Sequence, residues 1–479
     1  MLNTIFCRLR AQTMLQIGCR ISNTKLLSLS RTPGYATSVR DQRLDSLLEH
    51  ARKKVPFYRD RIPVSTGETS SLGRLSHVPV LSKDDVEVNF PDAITDGSDS
   101  ADWRMMSTRG TAQRLVTVQD FDKRDANRAG QLRMLLIPNQ YSLGMKKVEI
   151  PPEICEIVCG DEGEKEERVL SHLWNMIRSG TWRERKSFRD LRGLIERQWI
   201  FNTENYAGFG RYGSKPPEEI LQKYVDRLRN DRPQVIKTLA TYLVEIAKHI
   251  RDSGEQPLQI PVIKAMGSRV TPNQRGLIEA SFGGTFWDDY GSAEFGSIAC
   301  ECAQHDGLHV FEDMFVVEVV DSQGEPVADG ERGWILITDL MNKAMPLIRY
   351  RIGDVGYLDS TPCSCGHSAP RLTVEGRAHD VLVTNSGSWR THDDVVDFCE
   401  SFPGVDSCVV ECRANERFNL TVVESQHAPF EKAAFTNAFR EWLGMPARIS
   451  LRTATTIPAE AGGKFRFVKG NLIKTRGAA

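Results

Sequence analysis

The densest set of side chains suited to chemistry lies in residues 288–380. The stretch "YGSAE" ends in Glu294 and places a carboxylate directly after a glycine-containing turn. A carboxylate on such a rigid turn is suited to hold Mg²⁺, which prefers one or two carboxylates together with substrate phosphates. The alternative is an ordinary turn with an exposed glutamate, and this stretch alone does not decide between the two.

Three further segments carry charge beside glycine. "RYRIGD" ends in Asp354, which either accepts hydrogen bonds from ribose hydroxyls or forms a structural ion pair within the turn. "GRAHD" brings Arg377 and His379 to the boundary between a large and a small region. "GGK" puts Lys464 on a flexible glycine pair, from which a lysine reaches developing negative charge, although surface lysines are common.

The cysteines form a separate pattern. Cys363 and Cys365 make a C-x-C pair, and Cys302 lies upstream with His309 in "ECAQHDGLH". Three thiolates and one imidazole form a closed tetrahedral zinc site of the structural kind. Cys300 is a substitute ligand, and free buried thiols are the alternative reading.

Upstream, "STRGTAQR" is rich in hydroxylated and small residues. Thr108 and Thr111 flank Gly110, and Arg114 follows. Backbone amides around such a glycine can cradle phosphate while the hydroxyls donate hydrogen bonds. Taken alone, the stretch also fits an ordinary turn.

In their order along the chain, these motifs resemble the ATP-dependent adenylate-forming enzymes, and within them the phenylacetate–coenzyme A ligase branch. The resemblance rests on "YGSAEFG", "ECAQHDGLHVFED", "PLIRYRIGD", "CSCG" and "EGRAHD", and on "IPAEAGGKFR" near the end. It is close over 288–380, moderate in the tail and fainter over 41–287. It implies that a carboxylate attacks the α-phosphate of ATP to give an acyl-adenylate and pyrophosphate. A thiol, usually that of coenzyme A, then displaces AMP.

The resemblance also implies roles for individual residues. Glu294 would hold Mg²⁺, and Tyr290 and Gly291 would line the adenine or acyl site. Asp354 would bind the ribose, and Arg377 a phosphate or ribose oxygen. Zinc at the cysteine–histidine set is likewise a feature of some members of this branch.

The closing motif and the hinge follow from the same resemblance. Lys464 would bridge the acyl carboxylate and the α-phosphate during adenylation. His379 lies where the small domain would rotate between the half-reactions, a position that usually holds a carboxylate or a lysine in the family. ATP, Mg²⁺ and coenzyme A are therefore the expected cofactors and co-substrates, together with structural Zn²⁺.

Two departures from the family pattern leave a second hypothesis open. Arg109 replaces a small hydroxylated residue in the phosphate loop, and Ser268 replaces an acid in "MGS", where the family often has a Gly-Gly-Glu-like turn. The first hypothesis is an active ligase that adenylates an aromatic or other small acid and passes it to coenzyme A, an amine or a carrier-protein thiol. The second is a degenerate member that binds a nucleotide, an acyl ligand or a partner without turnover.

Composition limits the function classes. The 479 residues are 40% hydrophobic and 26% charged, which is typical of a globular chain with two or more domains. A net charge of −1 lacks the basic excess of a nucleic-acid-binding protein. No run of about 18 apolar residues appears, so no membrane-spanning helix is predicted. The eleven cysteines favour metal ligation and free thiols in a reducing compartment.

The first 40 residues differ from the rest because they contain arginine, serine and threonine but no acidic residue. This composition is typical of an organellar transit peptide, and a disordered leader is the alternative. Localisation is therefore expected to be cytoplasmic, or mitochondrial if the leader is a transit peptide. The expected partners are a small-molecule carboxylic acid, ATP and coenzyme A, and a homodimer is left open.

The elements that must position these residues are mainly of the α/β type. Leucines at helical spacing predict a helix from Asp41 that ends before Pro56. Two helices broken at Pro233 are predicted over 215–252, and a hairpin over 308–340. With the resemblance, this order predicts a large adenylate-forming domain with mixed sheets over 41–378. A small mobile α+β domain over 379–479 would follow a hinge.

Overall fold

The structure of the protein is a computed structural model. It describes residues 35–65, 69–97, 103–107, 115–136, 144–151, 169–183, 187, 191, 193–195, 198–199, 201–267, 269–383, 389–413, 417–426, 428–458 and 466–469. These residues fall into two compact units. Unit 1 contains the described parts of 138–287 and 456–465, and unit 2 those of 26–137, 288–455 and 466–479.

Helices occur in both units. The principal helices among the described residues are α1 (Tyr35–Lys54), α2 (Ser71–Ser76), α3 (Lys83–Asn89), α4 (Phe121–Leu136), α5 (Val169–Ser179), α6 (Glu218–Asp231), α7 (Ala240–Ser253), α8 (Pro272–Phe282), α9 (His392–Ser401) and α10 (Lys432–Leu443).

Unit 1 is built on a parallel sheet. Its strands, in spatial order, are β4 (Thr203–Asn205), β3 (Lys147–Ile150), β5 (Val235–Leu239), β6 (Val262–Met266) and β7 (Thr285–Phe286). One apolar face of the sheet forms a core with α6, α7 and α8. This arrangement is of the α/β type that the sequence predicts.

One prediction in unit 1 is wrong at its start. The second helix predicted after Pro233 begins only at Ala240, because Val235–Leu239 is strand β5. The β-branched run in this segment favours an extended chain, and β5 pairs on both sides, with β3 and β6. Tertiary pairing therefore overrides the helical pattern that continues after it.

Unit 2 is built on a seven-stranded antiparallel sheet. Its strands, in spatial order, are β11 (Phe315–Val320), β12 (Gly333–Asp339), β13 (Tyr350–Asp359), β14 (Arg371–Arg377), β10 (Leu308–Val310), β9 (Gly296–Glu301) and β8 (Asp289–Ser292). β11 and β12 are the hairpin predicted over 308–340. The core on this sheet includes apolar side chains from α1 and α4.

A short hairpin precedes α4 in unit 2. Strands β1 (Arg104–Ser107) and β2 (Val116–Gln119) pair antiparallel, with Ser107 opposite Val116.

The helix predicted from Asp41, ending before Pro56, is α1, which ends at Lys54 but begins earlier, at Tyr35. Its residue Arg40 forms an ion pair with Glu312 at 2.9 Å.

The C-terminal part of unit 2 has its own small sheet and core. The sheet runs β19 (Arg448–Ala454), β18 (Arg417–Glu424), β17 (Val405–Arg413), β20 (Val468–Lys469), and α9 and α10 pack against it. A two-stranded pair, β15 (Leu382–Val383) and β16 (Trp389–Arg390), precedes α9. The α+β character predicted for the tail is therefore confirmed, whereas the domain boundary at 378 stays a prediction.

Candidate active site and candidate metal centre

Three of the predicted nucleotide-site residues form one hydrogen-bonded network. Asp354 on β13 lies opposite Arg377 at the end of β14. The Arg377 Nε atom is 3.1 Å from Asp354 Oδ1, and the Tyr290 hydroxyl donates to Asp354 Oδ2 at 2.6 Å. Asp354 is 6% exposed, but each carboxylate oxygen has a second lone pair. The carboxylate therefore keeps the capacity to accept a hydrogen bond from a ligand.

The electrostatics of this network keep both donors protonated. Burial and the Asp354 carboxylate hold the pKa of the Tyr290 hydroxyl well above its ordinary value. The same carboxylate raises the pKa of Arg377, whose side chain is 48% exposed. The site thus presents a half-exposed permanent cation beside a buried carboxylate, which suits a ligand that carries both phosphates and hydroxyl groups.

Glu294 belongs to the same group. It follows β8, and its charge contributes to the raised pKa values of Tyr290, Tyr350 and Arg377. Its backbone carbonyl accepts a hydrogen bond from Gln119 Nε2 at 3.3 Å. The predicted Mg²⁺ ligand therefore lies on a turn that is held from its backbone.

Gly291 has a structural reason of its own. A Cβ atom there would lie 2.3 Å from the carbonyl oxygen of Gly296 on β9, so the close approach of β8 and β9 requires glycine. The register of these two strands shifts between Tyr290 and Gly291. Part of the "YGSAE" motif therefore serves the bend that brings Tyr290 toward Asp354.

The predicted hinge residue His379 lies beside an ion pair of unit 2, and its hinge role stays a prediction. His379 lies half-exposed in the 3₁₀ helix Ala378–Asp380, with Nε2 3.6 Å from Asp380 Oδ1. Asp380 also accepts from Arg466 Nε at 2.8 Å, a contact that no sequence motif indicates. Because Arg466 lies two residues after Lys464 in the sequence, the Asp380–Arg466 pair fixes the chain just beyond the predicted catalytic lysine.

Several predicted residues lie outside the described residues. These are Thr108, Gly110, Thr111 and Arg114 of the predicted phosphate loop, together with Lys464. Arg109 and Ser268, the two departures from the family pattern, also lie there. The phosphate loop and the closing lysine therefore stay predictions.

The four predicted zinc ligands do come together. One ligand atom from each of Cys302, His309, Cys363 and Cys365 lies within 4.8 Å of the others. Cys302 Sγ is 3.7 Å from Cys363 Sγ, and Cys365 Sγ is 3.4 Å from His309 Nε2. The substitute ligand Cys300 is not part of this group and packs in the core of unit 2.

The surroundings of the four side chains fit a metal ion. His309 Nδ1 is 3.0 Å from the carbonyl oxygen of Ala369, which sets Nδ1 as the donor and leaves the Nε2 lone pair toward the sulfur atoms. Burial lowers the pKa of His309 and so favours the neutral imidazole that a metal needs. Burial also raises the pKa of the Cys302 thiol to about 12, so a cation is needed to make it a thiolate.

The relatives of this chain agree with the sequence motifs. No family model matches the chain. Over 171 residues it is 31% identical to phenylacetate-coenzyme A ligase of Thermus thermophilus, a match that covers 34% of this chain and 38% of that protein. Over 168 residues it is 29% identical to the phenylacetate-coenzyme A ligase of Pseudomonas putida, with the same two shares. The match thus spans 38% of the length of these curated relatives.

Solved structures extend the likeness to the whole fold. 2-Hydroxyisobutyryl-CoA ligase, in the postadenylation state with 2-HIB-AMP, aligns with a TM-score of 0.66 at 18% identity, over 92% of this chain and 91% of that chain. An open conformation of that ligase with 2-HIB-AMP and CoA aligns with a TM-score of 0.55, also at 18% identity, over 92% and 93%. The chain therefore has the mixed α/β fold of adenylate-forming ligases and resembles their phenylacetate–coenzyme A ligase branch.

None of the helices among the described residues combines the length and the apolar character that crossing a bilayer requires.

Proposed function

We propose that this chain is an ATP-dependent, AMP-forming ligase that adenylates a small, aromatic carboxylic acid and transfers the acyl group to coenzyme A. In the first half-reaction a carboxylate oxygen attacks the α-phosphorus of ATP, and the bond to pyrophosphate breaks. In the second, the coenzyme A thiolate attacks the acyl carbon and AMP leaves. Both steps need charge stabilisation and positioning rather than a protein nucleophile.

The observation that carries the proposal is the network of Tyr290, Asp354 and Arg377. Its carboxylate has acceptor capacity for ribose hydroxyls, and its half-exposed guanidinium suits a phosphate oxygen. Glu294 contributes charge to the same network, and it is the residue that would hold Mg²⁺. Mg²⁺, when bound, supplies positive charge to the departing pyrophosphate.

Residues beyond the described part complete the proposed site. Lys464 would bridge the acyl carboxylate and the α-phosphate, where its ammonium group would meet the charge that develops during adenylation. The backbone amides around Gly110, with the hydroxyls of Thr108 and Thr111 and the cation of Arg114, would hold the outer phosphates. His379 would lie at the hinge between the half-reactions.

We further propose that Cys302, His309, Cys363 and Cys365 hold one structural Zn²⁺. Four protein ligands close the coordination sphere, so this ion would have no position for substrate. Its role would be to tie β10 and the segment after β9 to the connection between β13 and β14.

The two sequence departures support one alternative, a member that binds ligands without turnover. Arg109 brings a long cation to a position where the family has a small hydroxyl, and Ser268 removes an acid from the predicted adenine turn. Such a protein would be stabilised by ATP on heating but would form no AMP.

Pyrophosphate release tests the proposal against the alternative. The purified chain is incubated with ATP, Mg²⁺ and a broad panel of carboxylic acids, with and without coenzyme A. We expect release that depends on one acid class and an acyl-CoA product by mass spectrometry. If an acyl product forms only with amines, or only on a carrier-protein thiol, that group and not coenzyme A is the acceptor. ATP-dependent stabilisation without release for any acid would support the binding-only alternative.

A further inference from the structure

A fully buried ion pair lies beneath the turn that carries Glu294. Lys123 on α4 is 0% exposed, and Asp339 at the end of β12 is 1% exposed. Their Nζ and Oδ2 atoms are 2.6 Å apart. Lys123 Nζ also donates to the carbonyl oxygen of Phe295 at 2.8 Å and lies 4.7 Å from the centre of the Phe315 ring. These three partners match the three N–H donors of an ammonium group.

The contact with Phe295 is one of several between this region and the Glu294 turn. Gln119, at the end of β2, donates to the backbone carbonyl of Glu294 itself at 3.3 Å. Asn127, one helical turn after Lys123, donates to Gln119 Oε1 at 3.2 Å. Side chains from β2 and α4 thus hold two consecutive carbonyls of the turn, those of Glu294 and Phe295.

Close packing limits the turn further. Gly296 has a φ of +72°, and a Cβ atom there would lie 2.5 Å from Asn127 Oδ1. The turn therefore lies against α4 with no room for a side chain, and its left-handed backbone is one that glycine adopts without strain. A displacement of α4 would be passed directly to the backbone on which Glu294 lies.

A buried ion pair is not the most stabilising way to fill this space. Taking two charges out of water is costly, and apolar residues of similar volume often stabilise a fold as well or better. The ion pair provides a directional contact that two apolar side chains cannot provide, because the Lys123 ammonium holds one particular carbonyl oxygen, that of Phe295. Asp339 in turn is held by the backbone N–H of Met341, which donates to its Oδ1 atom at 3.0 Å.

We propose that Lys123 and Asp339 are positioning residues that set the Glu294 carboxylate for the metal of the ATP complex. The inference rests on the proposed function, because it takes Glu294 as the residue that would hold Mg²⁺. Lys123 acts on the backbone of Phe295 and so on the preceding residue, and it does not touch the nucleotide. Helix α4, which includes Lys123, begins shortly after strand β2. The helix that would orient Glu294 is therefore joined to the hairpin β1–β2, whose strands flank the predicted phosphate loop in the sequence.

The chain offers a matched control on the same helix. Arg133 on α4 pairs with Asp313 through two bonds, at 2.6 and 2.8 Å, and both residues are almost fully buried. The test compares Lys123→Met and Lys123→Met/Asp339→Leu with Arg133→Met/Asp313→Leu. Each double variant replaces one buried ion pair by apolar side chains. The Lys123 double variant keeps the test informative if the single variant, which leaves Asp339 unpaired, does not fold.

The readout is the Mg²⁺ dependence of acid-dependent pyrophosphate release, with folding checked by thermal melting. We expect the Lys123 variants to need on the order of tenfold more Mg²⁺ and to lose on the order of 10- to 100-fold in kcat, since a misplacement of about 1 Å has such effects. The Arg133 double variant should keep the wild-type Mg²⁺ dependence. Folded Lys123 variants whose Mg²⁺ dependence equals that of the Arg133 variant would overturn the positioning role while leaving the proposed function intact.

If the wild-type chain releases no pyrophosphate with any acid, the proposed function fails and the positioning role is judged separately. Binding of Mn²⁺ in the presence of ATP is then measured by electron paramagnetic resonance for the same variants. Weaker Mn²⁺ binding in the Lys123 variants than in the Arg133 variant supports the positioning role. Equal binding in the two overturns it.

Discussion

The two ends of the β13–β14 hairpin carry different kinds of site. At one end, Asp354 lies opposite Arg377, and at the other, Asp359 lies opposite Arg371 beside the connection that contains two of the clustered cysteines. The five residue-to-residue steps from Asp354 to Asp359 span about 17 Å of extended chain. The first end presents a half-exposed cation and a carboxylate with spare acceptor capacity, whereas the second gathers four ligand atoms toward each other.

This difference distinguishes a site suited to reversible ligand binding from one suited to stabilising the chain. At the Asp354 end, donors and acceptors remain for the proposed ligand, which would have to leave in each catalytic cycle. At the other end, four ligands bound to one ion would fix the chain. A brace at the far end would hold the hairpin that presents Asp354 and Arg377, so the two sites are expected to respond differently to substitution.

The largest expected effect is on catalysis, at the lysine of the closing motif. Replacing Lys464 by alanine should lower the rate of adenylation on the order of 100- to 1,000-fold, because a positioned charge on the reacting phosphate is lost. The melting temperature should stay unchanged. Single-turnover AMP formation measures the effect, with the exposed α10 residue Lys432→Ala as the control. Equal rates for the two variants would contradict a role for Lys464.

At the end of the hairpin that contains Cys363 and Cys365, substitution should change the stability of the fold. Cys363→Ser removes one of the four ligands, and we expect loss of the metal and a fall in stability of about 2–4 kcal/mol. Metal content by elemental analysis and thermal melting measure it, and half-buried Cys412→Ser serves as the control outside the cluster. A metal-free wild-type protein whose stability is unaffected by Cys363→Ser would reject the zinc proposal.

A graded pair of substitutions tests the network around Asp354. Asp354→Asn removes the charge that faces Arg377 and should raise the KM for ATP by about 10- to 100-fold, in line with about 1.5–3 kcal/mol for a charged hydrogen bond. Tyr290→Phe removes only the donor to Asp354 and should have a smaller effect. A larger effect for Tyr290→Phe than for Asp354→Asn would argue against the ribose role.

The smallest expected effect is a pH dependence of the stability that Asp359 contributes, at the same end of the hairpin as the two cysteines. Hydrogen bonds from the Thr361 hydroxyl and backbone hold the pKa of Asp359 below its ordinary range, with a further contribution from Arg371. Because the pKa is lowered by folding, the carboxylate stabilises the fold above about pH 4 and loses this effect as the pH falls through its folded value. Asp359→Asn should therefore lower the melting temperature more at pH 7 than at pH 3. An equal effect at the two pH values would argue against this role of Asp359.

Sequence motifs predicted the parts of the site that are local in the chain. The C-x-C pair and the upstream Cys302 and His309 were recognisable because metal ligands recur at short spacings, and the structure brings them together. The sequence predicts a helix where strand β5 lies, because a strong helical pattern follows this segment directly. The Lys123–Asp339 pair gave no signal, since its partners come from distant segments and each looks like an ordinary surface residue in the sequence.

The most direct test of the central claim is to trap the adenylate. The chain is incubated with ATP, Mg²⁺ and pooled carboxylic acids without coenzyme A, and the quenched mixture is examined by exact mass. We expect an acyl-adenylate of one acid class, absent with Lys464→Ala and converted to acyl-CoA and AMP when coenzyme A is added. No acyl-adenylate from any acid, under conditions where ATP stabilises the protein on heating, would contradict it.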